Sequence, residues 1–387
     1  MDPSAPVNDR VVFRRHTIYE GGPAERMSCV VGDLNSDGVD EFVISTRNPE
    51  QLHWYGKTDR GDWEPHLMDD TFASISVGGV LLDLTGNGRL DLIASTSDKG
   101  HYVYWWECPE DPADRWVRRV IATLPGNRTH DLMVADIDGD GRQELYVWNQ
   151  DAETVFWVPI PDNPRITPWP DFRPVVTSLD EQAFAAADVD GDGRLELIAG
   201  CSWYRLLRDG SWERHVYTED YGGTRLAAAD FDGDGQPAIA VCEVGADIGK
   251  PYGRLALFKP GTDPEAIWEV EVLHDRLADA HSLQVADFDG DGRPDIFVGE
   301  MGLKDWAGAT QRIFLNRGDR MQEHIIDRGV GTHEAQVVTL EGGIGIVSKP
   351  YRSLQDTAPR PEGVDNLYLY LPESGGDRKH GLQLEKG

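Results

Sequence analysis

Oxygen-bearing side chains at Asp136, Asp138, Asp140 and Glu144 occupy positions 1, 3, 5 and 9 of a short loop, with Gly141 at position 6. Carboxylates at that spacing suit a hard cation such as Ca²⁺, and the glycine permits the sharp turn that gathers them. The pattern recurs at Asp188, Asp190, Asp192 and Glu196, and again at Asp287, Asp289, Asp291 and Asp295. Asp33, Asn35, Asp37 and Glu41 form a variant; Asp230, Asp232 and Asp234 form a copy with Ala238 at the ninth position. The loop at Asp83 carries Thr85 and Asn87 in place of acids. An EF-hand would add flanking helices and a glutamate at position 12, and neither is present. Acidic, glycine-rich turns also cap hairpins without any ion, but three perfect copies argue against that for the set.

A second group with chemical potential is histidine. His130, His281 and His333 each stand six residues before the first position of a loop repeat. Neutral imidazoles in one register can hold a Zn²⁺-like ion with an open position, or simply hydrogen-bond in a polar channel. An imidazole also titrates near neutral pH, which suits a general base. His16, His66, His215 and His324 fall in a different repeat and are expected on outer strands.

Positioning such groups requires a repeated scaffold. Loop first positions fall at Asp33, Asp83, Asp136, Asp188, Asp230 and Asp287, with a degenerate seventh at Thr339, and are 42 to 57 residues apart. That period fits a four-stranded propeller blade. A second motif opens at Trp63, Trp116, Phe172, Trp212, Trp268 and Met321, and its seventh copy, Phe13 to Ile18, precedes every loop. Seven copies of each motif, offset by one, predict an all-β, seven-bladed propeller over residues 1–387. The N-terminal strand (residues 11–20) is expected as the outer strand of the last blade, beside a third strand at 366–373. Closure of that kind removes open sheet edges.

In such a fold the innermost strand of each blade runs along the channel and ends in the acidic loop. The opposite mouth is then expected to hold Met27, Val77, His130, Gln182, Thr224, His281 and His333. Residues just after the second strands return there: Arg47, Trp148, Trp203, Tyr204, Glu243, Glu300, Lys349 and Tyr351, with His101 nearby. Aromatic rings that stack on sugar faces, together with charged groups for hydroxyls, suit a saccharide.

Composition narrows the classes. The 387 residues carry a formal net charge of −31, which argues against a nucleic-acid partner, since phosphate binding needs basic patches. No apolar run is long enough for a membrane span. Cys29, Cys108, Cys201 and Cys242 lack metal-ligand spacing, and Cys29, Cys201 and Cys242, in strand-like apolar runs, are expected as buried free thiols. Met1-Asp-Pro-Ser-Ala-Pro has neither the basic start nor the apolar core of an export signal. Weak calcium loops would place the protein outside the cell or in the periplasm after removal of a leader, tighter ones in the cytoplasm.

The Asp-x-Asp-Gly-Asp-Gly loops followed by β runs resemble the FG-GAP or VCBS repeats of integrin α-type propellers. A narrower resemblance rests on Ala280-His281-Ser282 with the loop that follows it, then Phe297 to Gly302, then Gln311-Arg312. These are similar to the propeller domain of aldos-2-ulose dehydratases, lyases that remove water from keto-sugars such as 1,5-anhydrofructose. Two classes of function follow. One is a lyase acting by β-elimination on a keto-sugar or a uronate-containing saccharide. His281 or His333 would be the base, with His130 across the channel. Tyr351 would protonate the leaving group, and Lys349 and Arg47 would neutralise developing charge. Trp148, Trp203, Tyr204, His101, Glu243 and Glu300 would bind substrate. The other class is a non-catalytic, calcium-stabilised propeller that binds glycans or proteins.

Overall fold

A computed structural model describes residues 12–373, apart from 23–24, 73–74, 98–99, 178–182, 223, 246–247, 303–305 and 351–361. It contains seven four-stranded antiparallel sheets. Blades I to VI take their strands in chain order. Their innermost strands are Arg26–Gly32, Val80–Leu82, Thr129–Ala135, Phe184–Ala187, Thr224–Ala229 and Ala280–Ala286. Blade VII starts at Ala335–Leu340, continues through Gly343–Ser348 and Leu367–Pro372, and is completed by the N-terminal strand Phe13–Tyr19. That outer strand pairs with the third in register from Phe13 opposite Pro372 to Thr17 opposite Tyr368. No described helix is long and apolar enough to cross a membrane.

The core lies between blades rather than inside any of them. Seven buried apolar clusters each join two neighbours, from Trp54 and Trp106 between blades I and II to Phe42, Tyr55, Val347 and Leu367 between VII and I. Each sheet stands on edge to the axis, so alternate side chains of one strand enter different clusters. Leu226 and Ala228 pack toward blade IV, while Ala227 and Ala229 pack toward blade VI. Neighbouring innermost strands touch all the way round, blade VII to blade I included.

Paired indoles stitch the outside of the ring. The Pro112 carbonyl accepts from Trp54 of blade I (2.8 Å) and Trp116 of blade II (3.0 Å). Pro264 does the same for Trp203 of blade IV (3.3 Å) and Trp268 of blade V (2.8 Å). The acidic loops are shaped by their own first residue. Asp136 accepts from the Gly139 and Gly141 amides at 2.8 and 2.9 Å, and Gly141 has φ +87°, a left-handed turn that other residues adopt at a cost.

Candidate functional site at the channel axis

At the end of the channel opposite the acidic loops, the first-strand segments of blades III, V, VI and VII bring polar side chains together. Three histidines arrive as the register predicts. His281 and His333 stack with ring centroids 4.4 Å apart and planes at 21°, and His130 lies 6.4 Å from His281. Blades I and II fill the equivalent positions with buried Met27 and Val77. Gln182 and Tyr351 lie outside the described residues.

Charged residues one position further along complete the cluster. The Asp131 carboxylate bridges His130 Nδ1 and the Arg225 guanidinium, each at 3.0 Å. Another Arg225 nitrogen lies 3.1 Å from both ring nitrogens of His281. Lys349 Nζ, from the end of the second strand of blade VII, donates to His333 Nδ1 at 3.0 Å and lies 3.8 Å from Glu334. Glu334 accepts from the Cys29 amide of blade I (3.3 Å) and the Gly78 amide of blade II (2.9 Å). Both residues that meet there have left-handed backbones, Glu334 at φ 60° and Gly78 at φ 77°. A side chain at Gly78 would start 3.0 Å from the His130 carbonyl, so only glycine fits. A non-glycine residue held left-handed is the kind of strain that a functional site maintains.

Burial sets the electrostatics. It lowers His281 and His333 well below the ordinary imidazole value, and Arg225 and Lys349 respectively add to the effect. His130 is also lowered by burial, but Asp131 opposes this. Burial raises Glu334 to about 7 and lowers Lys349 to about 8, each partly offset by the other's charge. All three imidazoles are therefore neutral at pH 7. His130 is the most accessible, with a side chain 14% exposed beside Asp131 at 21%. Trp148, itself buried, meets the His130 ring edge to face at 5.6 Å. A histidine whose Nδ1–H is held by a carboxylate keeps Nε2 as a basic lone pair. Of the three rings, His130 combines the greatest exposure with a carboxylate at Nδ1, and Arg225 stands beside that carboxylate.

The residues fit the expected Zn²⁺ poorly: among the described residues the three histidines form no group whose ligand atoms could share one ion, Arg225 lies against both ring nitrogens of His281, and Lys349 takes His333 Nδ1. Cations beside the imidazoles make this a poor Zn²⁺ site.

Several expected ligand-binding residues are committed elsewhere. Glu243 and Glu300 close the second-strand ends of blades V and VI. Glu243 pairs with Arg254 at 2.7 Å, and Glu300 pairs with Arg312 at 2.9 Å while accepting from Thr310 and the Ala278 amide. Thr46 and Asn149 clamp the corresponding turns of blades I and III, so the position serves the repeat. Trp203 and Tyr204 lie on a third strand, Ser202–Leu206, and are buried in interblade cores. Trp203 stacks on His215 at 4.1 Å as Trp54 stacks on His66 at 4.2 Å. The Arg47 guanidinium binds the Ser97 hydroxyl of blade II and lines a separate cleft with Glu50 and Asp70. His101 is half-buried against Tyr102.

In the acidic loops, ligand oxygens of Asp136, Asp138, Asp140 and Glu144 all lie within 4.8 Å of one another, as do those of Asp188, Asp190 and Glu196, of Asp230, Asp232 and Asp234, and of Asp287, Asp289 and Asp291. Clustered carboxylates of this kind fit a hard divalent ion. Burial, then the charges of Asp138 and Asp136, push Glu144 up to about 7. The shorter Asp295 departs from the expected set: its two oxygens accept from the Phe288 and Asn316 amides at 2.8 and 2.7 Å. Asp192 also stands apart from its group, although it accepts from the Arg194 amide just as Asp140 accepts from Arg142. In the variant loop, Glu41 takes the Leu34 amide and the Asn35 side-chain amide, while Asp33 accepts from Asp37 and Gly38. The four cysteines are free thiols.

Repeated acidic loops on a closed ring of seven blades define the class, a β-propeller built from FG-GAP repeats. The FG-GAP-like repeat model matches residues 83–147, 136–199 and 188–241, and the FG-GAP repeat model matches residues 280–311. The chain is 29% identical over 268 residues to an aldos-2-ulose dehydratase from Phanerodontia chrysosporium, a match covering 57% of this chain and 29% of that protein's length. The crystal structure of the V. cholerae biofilm matrix protein Bap1 has the same fold, with a TM-score of 0.51 and 12% identity, over 92% of this chain and 88% of that one.

Proposed function

We propose that this propeller is a carbon–oxygen lyase that dehydrates a neutral keto-sugar at the axial cluster. The observation that carries this reading is the His130–Asp131–Arg225 arrangement, a carboxylate-oriented imidazole beside a guanidinium. His130 Nε2 takes the proton α to the ketone, and the bonding pair moves onto the carbonyl oxygen. Arg225 stabilises that enolate charge where water is scarce, and Lys349, buried behind His333, adds to the positive field there. The enolate then re-forms the carbonyl and a carbon–carbon double bond as the β-hydroxyl leaves. The proton held by His130, or one from Tyr351, converts that hydroxyl to water. The similarity to an aldos-2-ulose dehydratase supports the same substrate class. Charge balance favours a neutral sugar over a uronate: Arg225 faces Asp131 and Lys349 faces Glu334, so neither cation is uncompensated. A buried carboxylate without its own cation would be costly.

The test is to incubate the purified protein with 1,5-anhydrofructose and, separately, with a uronate oligosaccharide, and to follow the conjugated enone and the released water-loss product by absorbance and mass spectrometry. Enone from the keto-sugar alone is expected. The competing reading, a propeller that binds glycans or proteins without chemistry, draws on the near closure of the cluster, where Lys349 is fully buried and His333 is 6% exposed. Binding of the keto-sugar with no product would establish it.

The acidic loops are proposed as Ca²⁺ sites that tie the turns of each blade. The Asp136 loop should fill first. It offers four carboxylates, and among the described residues no basic side chain pairs with them. Competing cations sit on the other copies: Arg205 on Asp190, Lys259 on Asp232, and Arg317 on Asp289. Chelation with EGTA should lower the melting temperature, because a ligand at 100 times its Kd adds about 2.7 kcal/mol to the folded state. Asp138→Asn should remove the tightest site in a calcium titration. An unchanged melting curve in EGTA would rule the proposal out.

A further inference from the structure

We propose that a cleft between blades III and IV, on the side of the acidic loops, binds an acidic saccharide carrying sulfate or carboxylate groups. It is separate from the histidine cluster and does not depend on the dehydratase reading. The cleft measures about 530 Å³, a size that suits a small ligand. Two indoles form its walls: Trp157, on the third strand of blade III (Thr154–Pro159), and Trp212, at the start of the outer strand of blade IV. Each is half-buried, with part of its surface packed on the core that the two blades share. Tyr146 stacks against Trp157 at 6.3 Å and the Arg173 guanidinium lies 6.0 Å from its ring centre, so the indole surface left in the cleft adjoins a cation.

Three guanidiniums reach the same cleft from three different elements: Arg173 on the outer strand of blade III, Arg194 in the blade IV loop, and Arg208 in a hairpin turn. In a chain with 68 acidic residues and 37 basic ones, an arginine ordinarily finds a carboxylate. Arg205 nearby pairs with Asp190, Glu213 and Glu265. The cleft arginines differ. Arg194 donates to the Asp138 backbone carbonyl at 3.0 Å. Arg173 has Asp171 at 3.7 Å, but the two side chains are 59% and 67% exposed, and such a pair contributes little. Arg208 is exposed and makes no ion pair among the described residues. Asp138 and Asp140 also line the cleft, and an ion in their loop would offset their charge. Indole surface beside guanidiniums that no buried carboxylate neutralises suits a ring that bears anions, which the planar guanidinium fork can bind bidentately. Nucleic acid, the other polyanion, needs a basic stripe that follows its phosphate backbone, and three arginines in one cleft do not form one.

The experiment is calorimetric titration of the full chain in calcium with three oligosaccharides of equal length: a dextran sulfate, a polygalacturonate and a neutral dextran. At least one acidic oligosaccharide should bind, with affinity falling as salt rises, and dextran should not; the first two arms tell sulfate from carboxylate. The double variant Arg173→Ala, Arg208→Ala should weaken binding at least tenfold with an unchanged melting temperature, and Arg208→Ala alone by a smaller factor. His130→Ala should leave binding intact, which separates this site from the axial one. Equal binding of dextran, no binding of either acidic oligosaccharide, indifference to the arginine changes, or loss of binding in His130→Ala would each overturn the proposal.

Discussion

His130→Ala should lower turnover of the keto-sugar by a factor of about 10²–10⁴, the usual loss when a positioned general base is removed. The melting temperature should change little, because the imidazole makes one side-chain bond, to Asp131, and rests on Trp148. His281→Ala and His333→Ala are expected to be weaker in turnover and stronger in stability, since their rings stack on each other and carry Arg225 and Lys349. The pH profile separates a base from a merely structural ring. Burial holds His130 below the ordinary imidazole value of about 6.5, so the basic form persists as pH falls and the acidic limb of kcat/KM should lie below that point. Asp131→Asn removes the charge that opposes this lowering. It should move the limb to still lower pH while cutting turnover, with KM changed less than kcat. An unchanged limb in Asp131→Asn, or wild-type turnover in His130→Ala, would return the base to His281 or His333.

The fold was legible because it is written twice. The loop motif fixes where each first strand ends, and the Trp-initiated motif fixes where each outer strand begins. Their offset by one makes Phe13–Tyr19 the partner of Leu367–Pro372. The histidines were legible for the same reason, as one position counted back from each loop. Asp131, Arg225 and Glu334 were not, because strand alternation sends the residue after a channel residue to the opposite face. In a propeller both faces of a blade meet neighbours, so both parities reach the site at the strand's end. Irregular backbone adds to this. Register shifts interrupt the first strands between Thr129 and Leu132 and between Ala280 and Ser282, and Glu334 is left-handed.

Misplacement of Glu243, Glu300 and Trp203 has a different origin. Their sequence positions resemble a ligand-lined mouth, but each satisfies a demand of the repeat itself. The two glutamates accept the backbone amides that start the third strand, Arg254 and Thr310, and Trp203 supplies one of two indole donors to the Pro264 carbonyl. Such groups become visible only by comparing equivalent positions between blades. Thr46 and Asn149 at the turn, and Trp54 with Pro112 on the outside, show the pattern. A polar residue that recurs in role, though not in type, belongs to the scaffold. One that occurs in a single blade, as Asp131 and Arg225 do, answers no demand of the repeat.

Deleting residues 1–20 should cost most of the protein's stability and produce aggregation. The deletion removes Phe13–Tyr19, and with it the whole outer strand of blade VII. Phe13 is buried in the cluster between blades VI and VII and meets Phe288 at 6.3 Å, while Ile18 and Tyr19 pack into the cluster that joins VII to I. Arg15 also ties the strand to Asp327 of blade VI at 2.8 Å. Removing one buried phenylalanine side chain costs about 3–5 kcal/mol, and a whole domain has only about 5–15 kcal/mol to lose. Loss of three packed residues and a strand's ladder therefore leaves little net stability. The strand Leu367–Pro372 would then present an unpaired edge with buried aromatics Tyr368 and Tyr370 beside it, a template for pairing with other chains. Size-exclusion chromatography and thermal melting of the truncated protein measure both effects. Adding back a synthetic peptide of residues 11–20 should restore part of the melting temperature, because the edge it fits is otherwise vacant. A truncated protein that stays monomeric and melts where the full chain does would mean that the ring is held closed by the blade VII–blade I core alone.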